Sequence, residues 1–284
     1  MGTDRLARVR LDYDTVGVTL VGSELLLEHV RFLYRGFLGE KHSASPSYEV
    51  DWDPRRARFR VRLGADVELE GQGEAEALEA LDWYVASHLL GDLDAGVVVL
   101  HAACLELPRG GLLTLVAPSG GGKSTLAAAL LQLGCRFLSD EFVPIDHESL
   151  RPWAYPRALG LKNGSPIGQD AFEAERCVNR RPETVRWLRP RRQLSPGPQG
   201  QAIRVILNVA FGSGVGVKLE PLSPARILAL MFGQAPMLAD DRSAGFASLA
   251  ELAEKVPGYR LTYDDAAPAA RRLLAVAGQP EGFP

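Results

Sequence analysis

Apolar residues recur along this chain with two different periods, and the change from one to the other marks its elements. In "RFRVRL", Phe59, Val61 and Leu63 alternate with arginines, the period-two pattern of a half-exposed strand. "TVGVTL", Thr15 to Leu20, reads as another strand. "ELLLEHVRFLYRG" carries helical spacing instead, with Ser23 placed to cap it and Gly36 to stop it. "HSASPS" is a loop, and "AEALEALDWYVASHLLG" sets Leu78, Leu81, Val85 and Leu89 on one helical stripe that ends at Gly91. Together these predict a small α+β N-terminal domain over residues 1–95, with a soft boundary between Gly91 and Gly96 that lacks the composition of a flexible linker.

From Gly96 the pattern changes to two continuous apolar runs, "GVVVLHAACLEL" and "GLLTLVA", joined by the turn "PRGG". Continuous runs suit strands buried on both faces. The second run feeds a glycine-rich turn, then "KSTLAAALLQLG" predicts a helix closed by Gly134. "CRFLSDEFVPID" predicts the following strand, with two acids partway along it or at its end. Strand, helix, strand in this order predicts an α/β unit with parallel pairing. Past Leu150 the pattern loosens: "PRALGLKNGSPIG" is turn-rich, "RVILNVAF" reads as a strand, and "SPARILALMFG" and "DDAAPAARRLLAVAG" read as helices.

The turn carries chemistry. Ala117, Pro118, Ser119, Gly120, Gly121, Gly122, Lys123 and Ser124 follow the phosphate-loop pattern, with alanine at the position where glycine is usual. Glycines let backbone N–H groups converge on phosphate oxygens, and the helix that follows adds the positive end of its dipole. Lys123 supplies a mobile cation for the β- and γ-phosphates, and Ser124 offers an oxygen to Mg2+. Asp140-Glu141 follow after a single helix and strand, in the position of a metal-binding acid. That short separation, without an LSGGQ-like segment, disfavours a transport ATPase.

Composition narrows the classes further. The chain has 284 residues, 46% hydrophobic and 24% charged, with a net charge of −3, so nothing pulls it globally toward nucleic acid or an anionic membrane. No uninterrupted apolar stretch reaches membrane-spanning length. Cys104, Cys135 and Cys177 lack metal or redox spacing, which predicts a reducing cytoplasm and three small buried apolar groups. "RCVNRRPETVRWLRPRRQLSPGPQG" concentrates arginines between Arg176 and Arg192 and reads as a loop or poorly ordered arm. It can dock an acidic peptide or a phosphorylated product with Trp187 as apolar anchor, supply a guanidinium to the transferring phosphate, or stand as a solvated face.

The stretch "HAACLEL…GLLTLVAPSGGGKSTLAAALLQLGCRFLSDEFVPID", His101 to Asp146, resembles the kinase domain of HPr kinase/phosphorylase and its shorter relatives, some of which modify serine in ribosomally made peptides such as lasso peptides. A weaker likeness continues through "YPRALGLKNGS", Tyr155 to Ser165, and "PLSPARILAL". The resemblance implies a phosphate-loop kinase core of the HPr kinase/phosphoenolpyruvate carboxykinase type over residues 96–284. It implies that Lys123 and the backbone of Ser119, Gly120, Gly121, Gly122, Ser124 and Thr125 hold ATP, that Ser124 and Asp140 hold Mg2+, that Glu141 takes the proton of the substrate serine, and that His101 orients that acid. The family's second acid is aspartate, so the roles of Asp140 and Glu141 can also be exchanged. Tyr155 stands where the family has a further glutamate ligand, which leaves a third metal contact unassigned, and Arg157 and Lys162 are candidates for contacting phosphate or substrate. A homo-oligomer is also implied. The expected activity is ATP-dependent phosphorylation of a hydroxyl on a peptide or protein; kinase action on a small hydroxylated metabolite and a non-catalytic nucleotide-binding scaffold are the alternatives.

Overall fold

The computed structural model describes residues 6–41, 46–91, 93, 96–162, 168, 170–180, 183–235, 242–279 and 283. Strands β1 (Leu6–Tyr13) and β2 (Val16–Ser23) form a hairpin that turns at Asp14, whose φ is 53°. With β3 (Ser47–Asp53), β4 (Arg58–Leu63) and β5 (Asp66–Gln72) they make a five-stranded sheet in chain order, antiparallel except where β2 runs parallel to β3. Helices α1 (Glu24–Leu33) and α2 (Glu74–Gly91) supply its core. Leu26, Leu27, Val30 and Leu33 of α1 are buried, as are Leu78, Leu81, Val85 and Leu89 of α2, so the expected stripe does face inward. Ser23 stands at the helix start but makes no side-chain cap bond; Tyr34 instead ties the two helices, donating to Asp82 Oδ1 at 2.7 Å.

Beyond α2 the two apolar runs become three strands. β6 (Val97–Leu100) and β7 (Ala102–Glu106) are separated by His101, and β8 (Leu112–Val116) follows. Helix α3 (Lys123–Gln132), β9 (Arg136–Ser139) and β10 (Val143–Asp146) come next, then β11 (Trp153–Ala154) and β12 (Leu159–Lys162). β13 (Phe172–Arg180) and β14 (Glu183–Pro190) precede β15 (Gly197–Pro198), β16 (Ile203–Phe211) and β17 (Lys218–Leu222). Helices α4 (Pro224–Phe232) and α5 (Arg242–Lys255), strand β18 (Gly258–Tyr263) and helix α6 (Ala266–Ala277) complete a mixed α/β protein with six α-helices among the described residues. None of them is long and apolar enough to cross a membrane.

The main sheet of this part has the order β17-β18-β16-β8-β7-β9. β16 runs parallel to both β8 and β18, while β7 runs antiparallel to both β8 and β9. The expected direct parallel pairing of the strands on either side of α3 is therefore corrected: β7 lies between β8 and β9, which leaves those two parallel but unpaired. One apolar layer on this sheet collects α3 and α6 residues such as Leu126, Leu130, Ala270 and Leu273; another collects Ile227 and Met231 of α4 with Leu249 and Leu252 of α5.

The chain divides into two compact units, Met1–Leu93 with Arg176–Trp187, and Asp94–Glu175 with Leu188–Pro284. The arginine-rich segment, expected as a loop, is instead built largely into β13 and β14 of a three-stranded sheet ordered β12-β14-β13. Arg181 and the 163–165 part of the weaker likeness lie outside the described residues. Trp187 is buried, with its ring edge-on to His29 at 6.2 Å, and is no exposed anchor. Cys104 and Cys135 are buried, whereas Cys177, expected inside, is exposed on β13, where alternate side chains face opposite ways.

Candidate active site

Three strand ends meet at one edge of the six-stranded sheet. Because β7 is antiparallel to both neighbours, its start lies beside their ends: Ala102 pairs with Val116, the last residue of β8, and Cys104 with Ser139, the last of β9. His101, the glycine-rich turn after Val116 and Asp140-Glu141 after Ser139 are thus brought together by topology. The same joint is where the chain leaves the large sheet, for β10 pairs with β6 in a separate two-stranded sheet that matches Val143 with Leu100.

The turn is shaped by its glycines. Gly122 holds φ at 96°, and a side chain there would stand 2.3 Å from the Tyr263 hydroxyl, which donates to the Gly122 carbonyl at 2.8 Å. A Cβ at Gly121 would stand 2.8 Å from that of Ala117, so the alanine in the pattern's first position sits directly under the turn. Pro118, Ser119 and Gly120 are exposed at the crest, and Thr125 is half-buried in the first turn of α3. Lys123 folds back over this turn, with Nζ donating to the Ala117 carbonyl at 2.8 Å. Burial pulls the Lys123 ammonium below its ordinary pKa, against the opposing attraction of Asp140 and Glu141.

The two acids have different surroundings. Asp140 is buried, hydrogen-bonded through its side chain to Ser124, and its Oδ1 has no hydrogen-bond partner. Burial first and repulsion from Glu141 second push its carboxyl up to about 7, although Ser124, Arg157 and Lys123 act the other way. Glu141 keeps 40% of its side chain exposed, with His101 Nε2 at 3.5 Å from Oε1 and Arg157 Nη2 at 3.6 Å from Oε2. His101 has its pKa lowered, burial outweighing the pull of Glu141, and its backbone N–H donates to the Gln234 carbonyl at 2.6 Å.

Arg157 and Lys162 read alike in sequence, and the structure separates them. The Tyr155 N–H donates to the Leu138 carbonyl at 3.0 Å and the Arg157 N–H to the Tyr155 carbonyl at 2.8 Å, which straps this segment alongside β9. Arg157 is consequently buried against Glu141, with only 6% of its side chain exposed, whereas Lys162 is exposed on β12. Tyr155, at the position of the missing glutamate, is fully buried with its ring edge-on to Phe142 at 6.1 Å. Gln234, Phe211 and Tyr263 also border the site; no local pattern distinguishes them in the sequence.

Among the described residues no group of three or more His, Cys, Asp or Glu forms a metal cage. The Ser124 side chain, half-buried, and the buried, unpartnered Oδ1 of Asp140 instead set two hard oxygen donors side by side, the donor type that a magnesium ion takes.

No protein-family model matches the chain, and no curated protein matches it. Among solved structures it is similar to the Hpr(Ser) kinase/phosphatase from Coxiella burnetii, at 10% identity and a TM-score of 0.30, over 62% of this chain and 93% of that one. At that score the likeness fixes neither the fold nor the role of any residue.

Proposed function

We propose that this chain is an ATP- and Mg2+-dependent kinase that transfers the γ-phosphoryl group to a serine hydroxyl of a peptide or protein. The observation that carries the reading is the convergence, at one sheet edge, of a left-handed glycine turn with Lys123 and Ser124, a buried acid and a half-exposed acid. On this reading residues 96–284 carry the kinase core and residues 1–95 form a small N-terminal domain, with Arg176–Trp187 grouping with the latter.

The backbone of Ser119, Gly120, Gly121, Gly122, Lys123, Ser124 and Thr125 takes the phosphates of ATP, and Lys123 exchanges the Ala117 carbonyl for a phosphate oxygen. Ser124 and Asp140 would hold Mg2+, which would neutralise charge on the β- and γ-phosphates. The contrast between the acids favours Glu141 as base, since it is open to a substrate while Asp140 is buried beside Ser124. Glu141 accepts the proton of the serine hydroxyl as that oxygen bonds to the γ-phosphorus, the bond from that phosphorus to the bridging oxygen breaks, and ADP departs. His101 and Arg157 hold the Glu141 carboxylate from two sides, and positioning of this kind supplies much of the catalysis in phosphoryl transfer. The peptide acceptor, of the lasso-precursor type, rests on the resemblance of His101–Asp146 to the HPr-kinase-related kinases.

The test is transfer of label from γ-labelled Mg·ATP to serine-containing precursor peptides by the wild type, Lys123→Ala and Glu141→Ala. Label on serine from the wild type alone is expected. Full transfer by either variant overturns the mechanism, and ATP binding without transfer to any peptide or hydroxylated metabolite makes the chain a nucleotide-binding scaffold.

A further inference from the structure

The kinase reading leaves one prominent group unused. Phe211, the last residue of β16, is 56% exposed although it sits at the mouth of the glycine turn. Its backbone N–H donates to the Gly121 carbonyl at 3.2 Å, and its Cβ lies 3.2 Å from where a Cβ on Gly122 would stand. Its ring rests edge-on against Tyr263, with centroids 5.6 Å apart and planes at 69°. Tyr263 is itself fully buried and bonded to the Gly122 carbonyl. An aromatic ring is therefore held from beneath, tied to the turn, and left open to solvent.

Topology says which end of a nucleotide this ring meets. β8, which leads into the turn, has β7 on one side and β16 on the other. Asp140 and Glu141 lie on the β7–β9 side, so a γ-phosphate directed at them sends the rest of the nucleotide toward β16. Because β16 runs parallel to β8, it ends at the same sheet edge, and the residue found there is Phe211. From this we infer that Phe211, backed by Tyr263, is the stacking platform for the nucleobase. This rests on the phosphate-binding reading of the turn and adds a base subsite to it. A flat ring of this kind binds by stacking and favours purines, whose two rings cover more of it than a pyrimidine does.

The experiment is titration calorimetry of Mg2+ with ATP, GTP, CTP and inorganic tripolyphosphate into the wild type, Phe211→Ala and Phe211→Tyr, with circular dichroism to report folding. Expected are purine over pyrimidine preference in the wild type and about tenfold weaker ATP binding by Phe211→Ala. Phe211→Tyr should bind ATP as the wild type does, and tripolyphosphate should bind all three alike. Unchanged ATP binding by Phe211→Ala, or an equal loss of ATP and tripolyphosphate, overturns the platform while the turn's role stands; if Phe211→Ala fails to fold, a wild type binding ATP no better than tripolyphosphate overturns it. Absence of any binding by the wild type refutes the phosphate-binding reading itself.

Discussion

Replacing Asp140 by asparagine is expected to stabilise the nucleotide-free protein at alkaline pH while abolishing phosphoryl transfer. The Asp140 carboxyl is held at about 7, against an ordinary 3.8, chiefly because it is buried. At roughly 1.4 kcal/mol per pH unit, keeping it ionised in the fold costs about 4 kcal/mol at most. Its folded pKa lies above its unfolded one, so the native state binds the extra proton between these values. The contribution of Asp140 to wild-type stability therefore falls as pH rises from about 4 to about 7 and then levels off. Asparagine cannot ionise and removes that slope, at a constant cost of about 1–3 kcal/mol for an amide imperfectly bonded in the same place. Urea unfolding followed by circular dichroism, without metal or nucleotide, should show the variant gaining on the wild type through this window. A stability difference independent of pH from 4 to 8.5 would refute the argument that burial strains this acid.

Three further outcomes follow from the same geometry. Gly122→Ala combines a φ of 96° with a Cβ 2.3 Å from the Tyr263 hydroxyl, so thermal unfolding should report a loss of about 1–3 kcal/mol and tripolyphosphate binding should weaken. Glu141→Gln should still bind Mg·ATP while single-turnover transfer falls at least about a hundredfold; comparable transfer would move the base to Asp140. Arg157→Gln removes the buried cation 3.6 Å from Glu141 and should lower the transfer rate about a hundredfold with little change in ATP affinity.

The parts of the site that were legible in sequence are those that depend on consecutive residues. A glycine turn leading into "KSTL" needs only its own backbone preferences and the strand and helix beside it. The stripe Leu78, Leu81, Val85 and Leu89 likewise announces its buried face by spacing alone. Arg157 was not legible in the same way. It reads like Lys162, because burial is decided by the strap from Tyr155 to Leu138 and not by neighbouring residues. The arginines of β13 and β14 misled for the converse reason: charge suggests solvent, yet Trp187 in the same run is buried against His29 and Arg189 pairs with Glu173 at 2.6 Å.

By itself, then, the sequence determined the kind of each strong element, the glycine turn with its lysine and serine, and the presence of two acids one helix and strand later. These follow from backbone preference and periodicity, which act over a few residues. Only the tertiary structure decided that β7 separates β8 from β9, that Asp140 is buried while Glu141 is open, that Arg157 lies against Glu141, and that Phe211 is tied to the glycine turn. Strand order and burial depend on how distant apolar surfaces pack together, and no short stretch of chain contains that information.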